Sequence, residues 1–273
     1  MNRNDLHHLF EQLALRGTHV IVHAALSSFG HIDGGPLTVC AALLDAVGDV
    51  GTVVMPAFTS AETWRASSST SRPVTFHADL SVSKQTGVLA ETFRRLPGVL
   101  RSNHPTHSFA AWGRHARDVL STQRDNNPLG PLKKINMIQG NVLLLGTSLE
   151  SAMILHVAEE RFGVPYLSRG TAVRLNAAGY DERVVLHNLP GCAAAFSRLE
   201  DHLDPTKVKS VPLPNGKARK IAARYLVQLA TAMLERDPQA FICDQPECSS
   251  CAGKRAALAA AEASLQSTGS RPA

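Results

Sequence analysis

The sequence predicts an α/β fold with a parallel core, on three observations. The runs His19–Ala25, Gly51–Pro56 and Asn141–Gly146 are apolar almost without alternation, as strands covered on both faces are. Between the first two lies a helical stretch opened by Gly34-Gly35-Pro36 and closed by Gly48, so strand, helix and strand follow one another at the spacing of a parallel crossover unit. With 44% hydrophobic and 19% charged positions, 273 residues are enough chain for a full-size core.

The elements follow in order. Leu6, Phe10 and Leu13 repeat at helical spacing, which predicts a helix over 5–16 with Asn4 or Asp5 as N-cap and Gly17 just past its end. The strand at 19–25 runs into the polar loop Ser27-Ser28-Phe29-Gly30. Pro36 suits the first turn of the second helix. The stretch 59–83, rich in Ser, Thr and Pro, reads as a long excursion bordering a cleft. A helix near 84–96, a short strand ending at Trp112 and a helix from about 114 come next. After the strand at 141–146 the sequence predicts a helix over Ser151–Glu160, strands near 171–176 and 183–187, a helix near 192–203 and a long helix near 217–235. The division expected is a single domain over 1–251 and, over 252–273, an Ala-rich helical tail that decays into disorder from Ser267.

Composition narrows the function. The net charge of +5 raises nucleic acid as a partner. The basic residues are scattered, however, and no Lys/Arg run is interleaved with aromatics as a single-strand platform requires, so no nucleic acid is expected. No run approaches the ~20 apolar residues of a spanning helix, and Met1–Leu15 carries charge and two histidines, so neither a membrane span nor a signal peptide is predicted. Five cysteines, an odd number with three near the C-terminus, read as reduced thiols of a cytoplasmic protein.

Three segments could carry chemistry. Leu26–Gly35, after a strand and before a helix, would offer hydroxyls and backbone N–H groups to a phosphate; a capped helix start explains it equally well. It lacks both G-x-G-x-x-G and the G-x-x-x-x-G-K-[ST] loop, so nucleotide folds of those types lose their support. His104-Pro105-Thr106-His107-Ser108 crowds two imidazoles and two hydroxyls beside a strand. His156 sits among apolar neighbours with Glu159 or Glu160 one helical turn on. That spacing suits a base whose tautomer a carboxylate fixes, and suits a core histidine or a helix ion pair as well.

Taken together, His23-Ala24-Ala25-Leu26-Ser27-Ser28-Phe29-Gly30, Asp33-Gly34-Gly35, Gly51–Thr59, Arg101–Ser108, Asn127-Pro128-Leu129-Gly130-Pro131-Leu132, Val142–Gly146 and His156-Val157-Ala158-Glu159 resemble, in that order, the aminoglycoside N3-acetyltransferase family. The resemblance runs from about residue 18 to about 200, with a weaker echo to Cys251. It implies a three-layer α/β/α fold with a mostly parallel central sheet, distinct from the common GNAT fold. It further implies acetyl-CoA as donor, an amine (typically of an aminoglycoside) as acceptor, and room for a homodimer. The family's coenzyme A loop falls on Ser27, Ser28, Phe29 and Gly30, with Thr106, His107 and Ser108 near the pantetheine arm. Its catalytic histidine falls on His156; Glu159, by its spacing, is the nearest candidate in the sequence to orient the imidazole.

The chain departs from the family pattern in its charge and around its first segment. Ala24 and Ala25 stand where serines are usual, and Leu186–Cys192 holds none of the carboxylates that usually follow the late strands. A polycationic sugar needs negative walls, so Glu62, Asp79, Asp125, Asp181 and Glu182 are the carboxylates left to supply them from loops. The alternatives are acylation of a small biosynthetic amine or amino sugar, and a non-catalytic protein binding coenzyme A or nucleic acid. Separately, Cys243, Cys248 and Cys251 include a C-x-x-C pair, the knuckle of structural zinc sites. Cys192 or His187 is the candidate fourth ligand; inert free thiols are the plainer alternative.

Overall fold

A computed structural model describes residues 1–59, 64–65 and 74–268. Its elements are α1 (Arg3–Gln12), β1 (His19–Ala24), α2 (Gly35–Val47), β2 (Thr52–Pro56), β3 (Trp64–Arg65), α3 (Val88–Arg94), β4 (Leu100–Arg101), β5 (Phe109–Gly113), α4 (Ala116–Ser121), α5 (Gly130–Met137), β6 (Asn141–Leu145), α6 (Leu155–Phe162), β7 (Ser168–Leu175), β8 (Asp181–Leu189), β9 (Val208–Leu213), β10 (Gly216–Ala222), α7 (Ala223–Arg236) and α8 (Ser249–Thr268). Of the long excursion predicted at 59–83, residues 60–63 and 66–73 lie outside the described residues, Glu62 among them, as do the last five residues of the predicted tail.

Seven strands form one mixed sheet in the order β4-β5-β2-β1-β6-β10-β9. The centre is parallel, β1 pairing with both β2 and β6, and antiparallel strands extend it on both sides. Because side chains alternate across a strand, Val20 and Val22 face one layer and Ile21 the other. The first layer packs Leu6, Phe10, Val39, Leu43 and Phe93 of α1, α2 and α3 on the sheet. The second packs Val119, Ile135, Leu155, Ala158 and Leu226 of α4, α5, α6 and α7. This is the three-layer α/β/α arrangement. A second, three-stranded sheet runs β3-β7-β8.

Some expectations for single elements are corrected. The cap of α1 is Asn2, whose side chain accepts from the backbone of Asn4 and Asp5 while Asp5 accepts from Asn2 in return. This reciprocal pair satisfies three otherwise orphan N–H groups, which neither Asn4 nor Asp5 alone would do. The long helix expected near 217–235 starts only at Ala223, because 216–222 pairs antiparallel with the free edge of β6 and with β9. Ala218 and Ile221 are buried there, and the otherwise costly Arg219 is paired with Glu200 at 2.5 Å. The helix expected from Ser151 begins at Leu155, after a 3₁₀ turn over Leu149–Ser151, and the one near 192–203 is itself 3₁₀, over Ala194–His202.

The helix after β1 lies on one face of the sheet and the helix after β6 on the other. Adjacent parallel strands whose connections part in this way leave a crevice at their carboxyl ends, where ligands of α/β proteins bind.

Candidate active site

A cavity of about 570 Å³ opens at that end of the sheet, within the usual size of a small-molecule site. Its walls come from the ends of β1 (His23, Ala24) and β2 (Met55, Pro56), from Phe58, from Thr106 and His107, and from Ser151 and Met153 just ahead of α6.

His156 stands in the first turn of α6 and Glu159 one turn later, so both fall on one face of the helix. Nδ1 of His156 is 2.5 Å from Oε2 of Glu159, and the two side chains are 1% and 0% exposed. Nε2 of His156 is buried and has no hydrogen-bond partner among the described residues. The Phe196 ring packs edge-on to the imidazole at 4.7 Å. The second carboxylate oxygen, Oε1, accepts from the Tyr166 hydroxyl at 3.0 Å and from Nζ of Lys254 at 2.8 Å. Burial alone would raise the Glu159 carboxyl; the imidazole and the Lys254 ammonium outweigh it and hold the group below the usual carboxylate range. With Glu159 ionised, the ionised acceptor fixes the proton on Nδ1 and leaves the Nε2 lone pair free to take one.

His107 interacts electrostatically with His156 and lies tilted against Phe58 at 5.0 Å. Burial, helped by His156, lowers its pKa to about 4, and burial lowers those of His104 and His23 to about 3. All three are neutral at pH 7. Nδ1 of His107 meets the Thr106 hydroxyl at 2.8 Å, and Nδ1 of His104 accepts the backbone N–H of His107 at 3.1 Å.

The other expected residues are distributed more widely. Leu26–Phe29 forms a 3₁₀ turn after β1. Phe29 is fully buried in the core, and the Ser28 hydroxyl donates to the Ala25 carbonyl at 2.6 Å. Ser27 and Gly30 are the residues this loop exposes. Ser108 is a buried strut: it donates to the Ala57 carbonyl at 2.7 Å and accepts from Nε of Arg101. Thr106 and His107 line the cavity, whereas Ser108 and the Ser27–Gly30 loop do not.

A family model described as aminoglycoside 3-N-acetyltransferase matches residues 21–235. The chain belongs to the aminoglycoside 3-N-acetyltransferase family. An aminoglycoside N(3)-acetyltransferase IV from Salmonella sp is 32% identical over 235 residues, covering 82% of this chain and 83% of its own. A prophage-derived aminoglycoside N(3′)-acetyltransferase-like protein, YokD, from Bacillus subtilis strain 168 is 34% identical over 177 residues, 58% of this chain and 64% of its own. A crystal structure of aminoglycoside acetyltransferase AAC(3)-IVa, a histidine-to-alanine variant in complex with a gentamicin, superposes with a TM-score of 0.80 at 29% identity, covering 94% of this chain and 97% of that one.

Two further clusters stand out in this acetyltransferase-family fold. Cys192, Cys243, Cys248 and Cys251 place their Sγ atoms within 4.8 Å of one another. Burial pushes the Cys251 thiol up to about 12 and raises Cys192, while the Cys251 backbone N–H draws Cys248 down to about 7. His187 is elsewhere, its N–H donating to the Asp125 carbonyl. The candidate acceptor carboxylates are largely paired: Arg174 holds Asp125 in two hydrogen bonds, 2.7 and 3.1 Å, and Glu182 in one of 2.9 Å, while Asp181 accepts from the Thr75 hydroxyl. Asp79 contributes its backbone carbonyl to Arg94.

Sequence reasoning missed Tyr166 and Lys254 at the dyad. Tyr166 carries no motif. Lys254 had one signal, its place three residues after Cys251 in an otherwise Ala-rich run; α8 crosses the 251/252 boundary and buries it. Among the described residues no helix is long and apolar enough to cross a membrane.

Proposed function

We propose that this chain transfers the acetyl group of acetyl-CoA to an amine of an aminoglycoside, the 3-amino group by family resemblance. The observation that carries the proposal is the buried His156–Glu159 pair with its unpartnered Nε2, in a ring near enough to the cavity residue His107 to interact with it electrostatically. An amine is mostly ammonium at neutral pH, so one proton goes to solvent before the lone pair can attack. As the new C–N bond forms at the thioester carbonyl, Nε2 of His156 takes the second proton from nitrogen. The C–S bond then breaks, and the proton passes to the departing thiolate to give free coenzyme A. Glu159 stays ionised and stabilises the imidazolium while it exists. Thr106 and His107, which line the cavity, are the residues proposed to meet the pantetheine arm, and Ser27 and Gly30, exposed on their loop, those proposed to meet the coenzyme A phosphates. A cytoplasmic location fits the reduced thiols.

Thiol release with a panel of aminoglycosides tests this. Turnover on at least one of them is expected, with His156→Ala at least a thousandfold slower; equal turnover in the variant would remove His156 from the reaction, and no turnover with any amine would leave only a coenzyme A-binding role. A second reading, acylation of a smaller amine, is favoured by the engagement of Asp125 and Glu182 with Arg174. Strong aminoglycoside resistance in a sensitive bacterium expressing the chain would count against it.

We propose also that the four cysteines hold a structural Zn²⁺. Sulfurs around a zinc at about 2.3 Å stand about 3.8 Å apart, a spacing compatible with these four. The metal would tie the segment after α7 to the loop after β8. Near-stoichiometric zinc in gently purified protein is expected; metal-free protein with every thiol reactive would refute it.

A further inference from the structure

The cysteine cap and the candidate base are joined through a single side chain. Lys254 is 2% exposed and lies three residues after Cys251 on α8. Its Nζ donates to Oε1 of Glu159 at 2.8 Å, to the Cys192 carbonyl at 3.0 Å and to the Phe241 carbonyl at 3.3 Å, so all three ammonium protons are used. It also stands over the Tyr166 ring, 4.7 Å from the centroid. One of its acceptors therefore belongs to a cysteine of the cap, another to the turn two residues before Cys243, and the third to the carboxylate that holds His156.

We propose that Lys254 is a positioning residue for the base, and that closure of the four-cysteine cap around a Zn²⁺-class ion seats it there. This rests on the His156 reading above. The physical case is one of charge and reach. A carboxylate that is 0% exposed needs an ionic partner to remain ionised, and among the described residues Lys254 is the cation that reaches Glu159. Among the described residues, the titratable groups facing the His156–Glu159 pair are His107 from the loop before β5, Tyr166 from the segment after α6, and Lys254 from α8. Of these, Lys254 alone forms an ion pair with the carboxylate from outside α6. It offsets the carboxylate, so His156 faces a nearly neutral pair. Lys254 is held in turn by carbonyls whose positions depend on the cap, and Cys192 reaches α8 also through Ser250, whose hydroxyl accepts the Cys192 N–H at 2.9 Å. Opening the cap would withdraw the ammonium from Glu159 without touching the cavity wall.

The test compares the intact wild-type chain with Lys254→Met, Cys248→Ser and Arg255→Met. Arg255 is the control, since it lies on the same helix and donates to the Cys243 carbonyl but does not reach Glu159. Each is followed by zinc content, by the pH profile of kcat/KM, and by NMR titration of the His156 ring, which needs no turnover. Lys254→Met is expected to move the acid limb and the ring titration up by about one pH unit, in line with the loss of a charge of the same sign as the imidazolium, and to lower kcat severalfold at pH 7 while KM for acetyl-CoA stays within twofold. Cys248→Ser, or wild type stripped by a chelator, is expected to shift both in the same direction and to recover in the stripped case on adding Zn²⁺. Arg255→Met should shift neither. Should Lys254→Met fail to fold, the chelated wild type and Cys248→Ser carry the same decision. An unmoved ring titration after metal loss, or in folded Lys254→Met, overturns the proposal. If wild type turns over but His156→Ala is unimpaired, it is the underlying reading that falls.

Discussion

Replacing Glu159 by Gln removes one charge from a carboxylate that has two distinct tasks. Oε1 accepts from Lys254 and Tyr166, and Oε2 faces Nδ1 of His156. The glutamine amide has one oxygen and one NH₂. If the oxygen faces Lys254 and Tyr166, the NH₂ points at Nδ1 and forces the proton onto Nε2, which abolishes the lone pair that takes the amine's proton in the proposed reaction. The opposite orientation sets the NH₂ against two donors, one of them charged, and forfeits two hydrogen bonds, the one to the ammonium worth about 1.5–3 kcal/mol. The wrong tautomer is thus the cheaper arrangement. An inverted tautomer costs a triad enzyme about 10⁴ in rate, so kcat for Glu159→Gln should fall by about 10³–10⁴, equivalent to about 4–5.5 kcal/mol at 1.36 kcal/mol per decade. The assay is release of coenzyme A quantified by chromatography, which the five free thiols do not disturb, alongside circular dichroism to verify folding. A folded variant with kcat within tenfold of wild type would refute the tautomer argument.

Three further outcomes are expected. Gly146→Ala should destabilise the fold by about 3 kcal/mol in urea titration, because Gly146 has φ +74° and a Cβ there would lie 1.8 Å from the Ser28 hydroxyl oxygen; a loss under 1 kcal/mol would show that the turn can relax. Arg174→Ala frees Asp125 and Glu182 and should lower KM for polycationic aminoglycosides about tenfold with little change in kcat; an unchanged or higher KM would place those carboxylates away from the acceptor. Stability should fall on acidification: His23, His104 and His107 have folded pKa values lowered to about 3, 3 and 4, so below the unfolded value near 6.5 the unfolded chain binds more protons. Each costs about 2 kcal/mol between pH 7 and pH 5, and Glu159, held low in the fold, adds to the loss below its own unfolded value. A urea midpoint that is equal or higher at pH 5 would contradict this sign.

What could be read from the sequence was what local pattern controls. The unbroken apolar runs of β1, β2 and β6 marked the parallel centre because such strands are covered on both faces. The His156–Glu159 pair was legible because i,i+3 spacing on a helix is itself a distance. The cysteine set was legible because thiols are rare and C-x-x-C is short. β9 and β10 were not, since Gly216–Ala222 is strand only by pairing with the free edge of β6, a non-local cause that overrides a run rich in helix formers. Lys254 was hidden for the same reason: its burial depends on Glu159, 95 residues away. The side-chain roles of Ser28 and Phe29 also turn inward, which motif position alone does not reveal.

The tip of the β9–β10 hairpin links two ends of the folding reaction. The Asn215 N–H donates to the Ser28 carbonyl at 2.9 Å, and its side-chain amide to the Ser27 carbonyl at 3.2 Å, across 188 residues. Contacts so distant in sequence close late, after the loop entropy between them has been overcome. The strands β2, β1 and β6 can therefore assemble while the Ser27–Gly30 turn is still untethered. On refolding from denaturant, recovery of helix and strand signal should run ahead of the tethering of the Ser27–Gly30 turn by Asn215, and the interval between them measures how long β10 takes to find its edge.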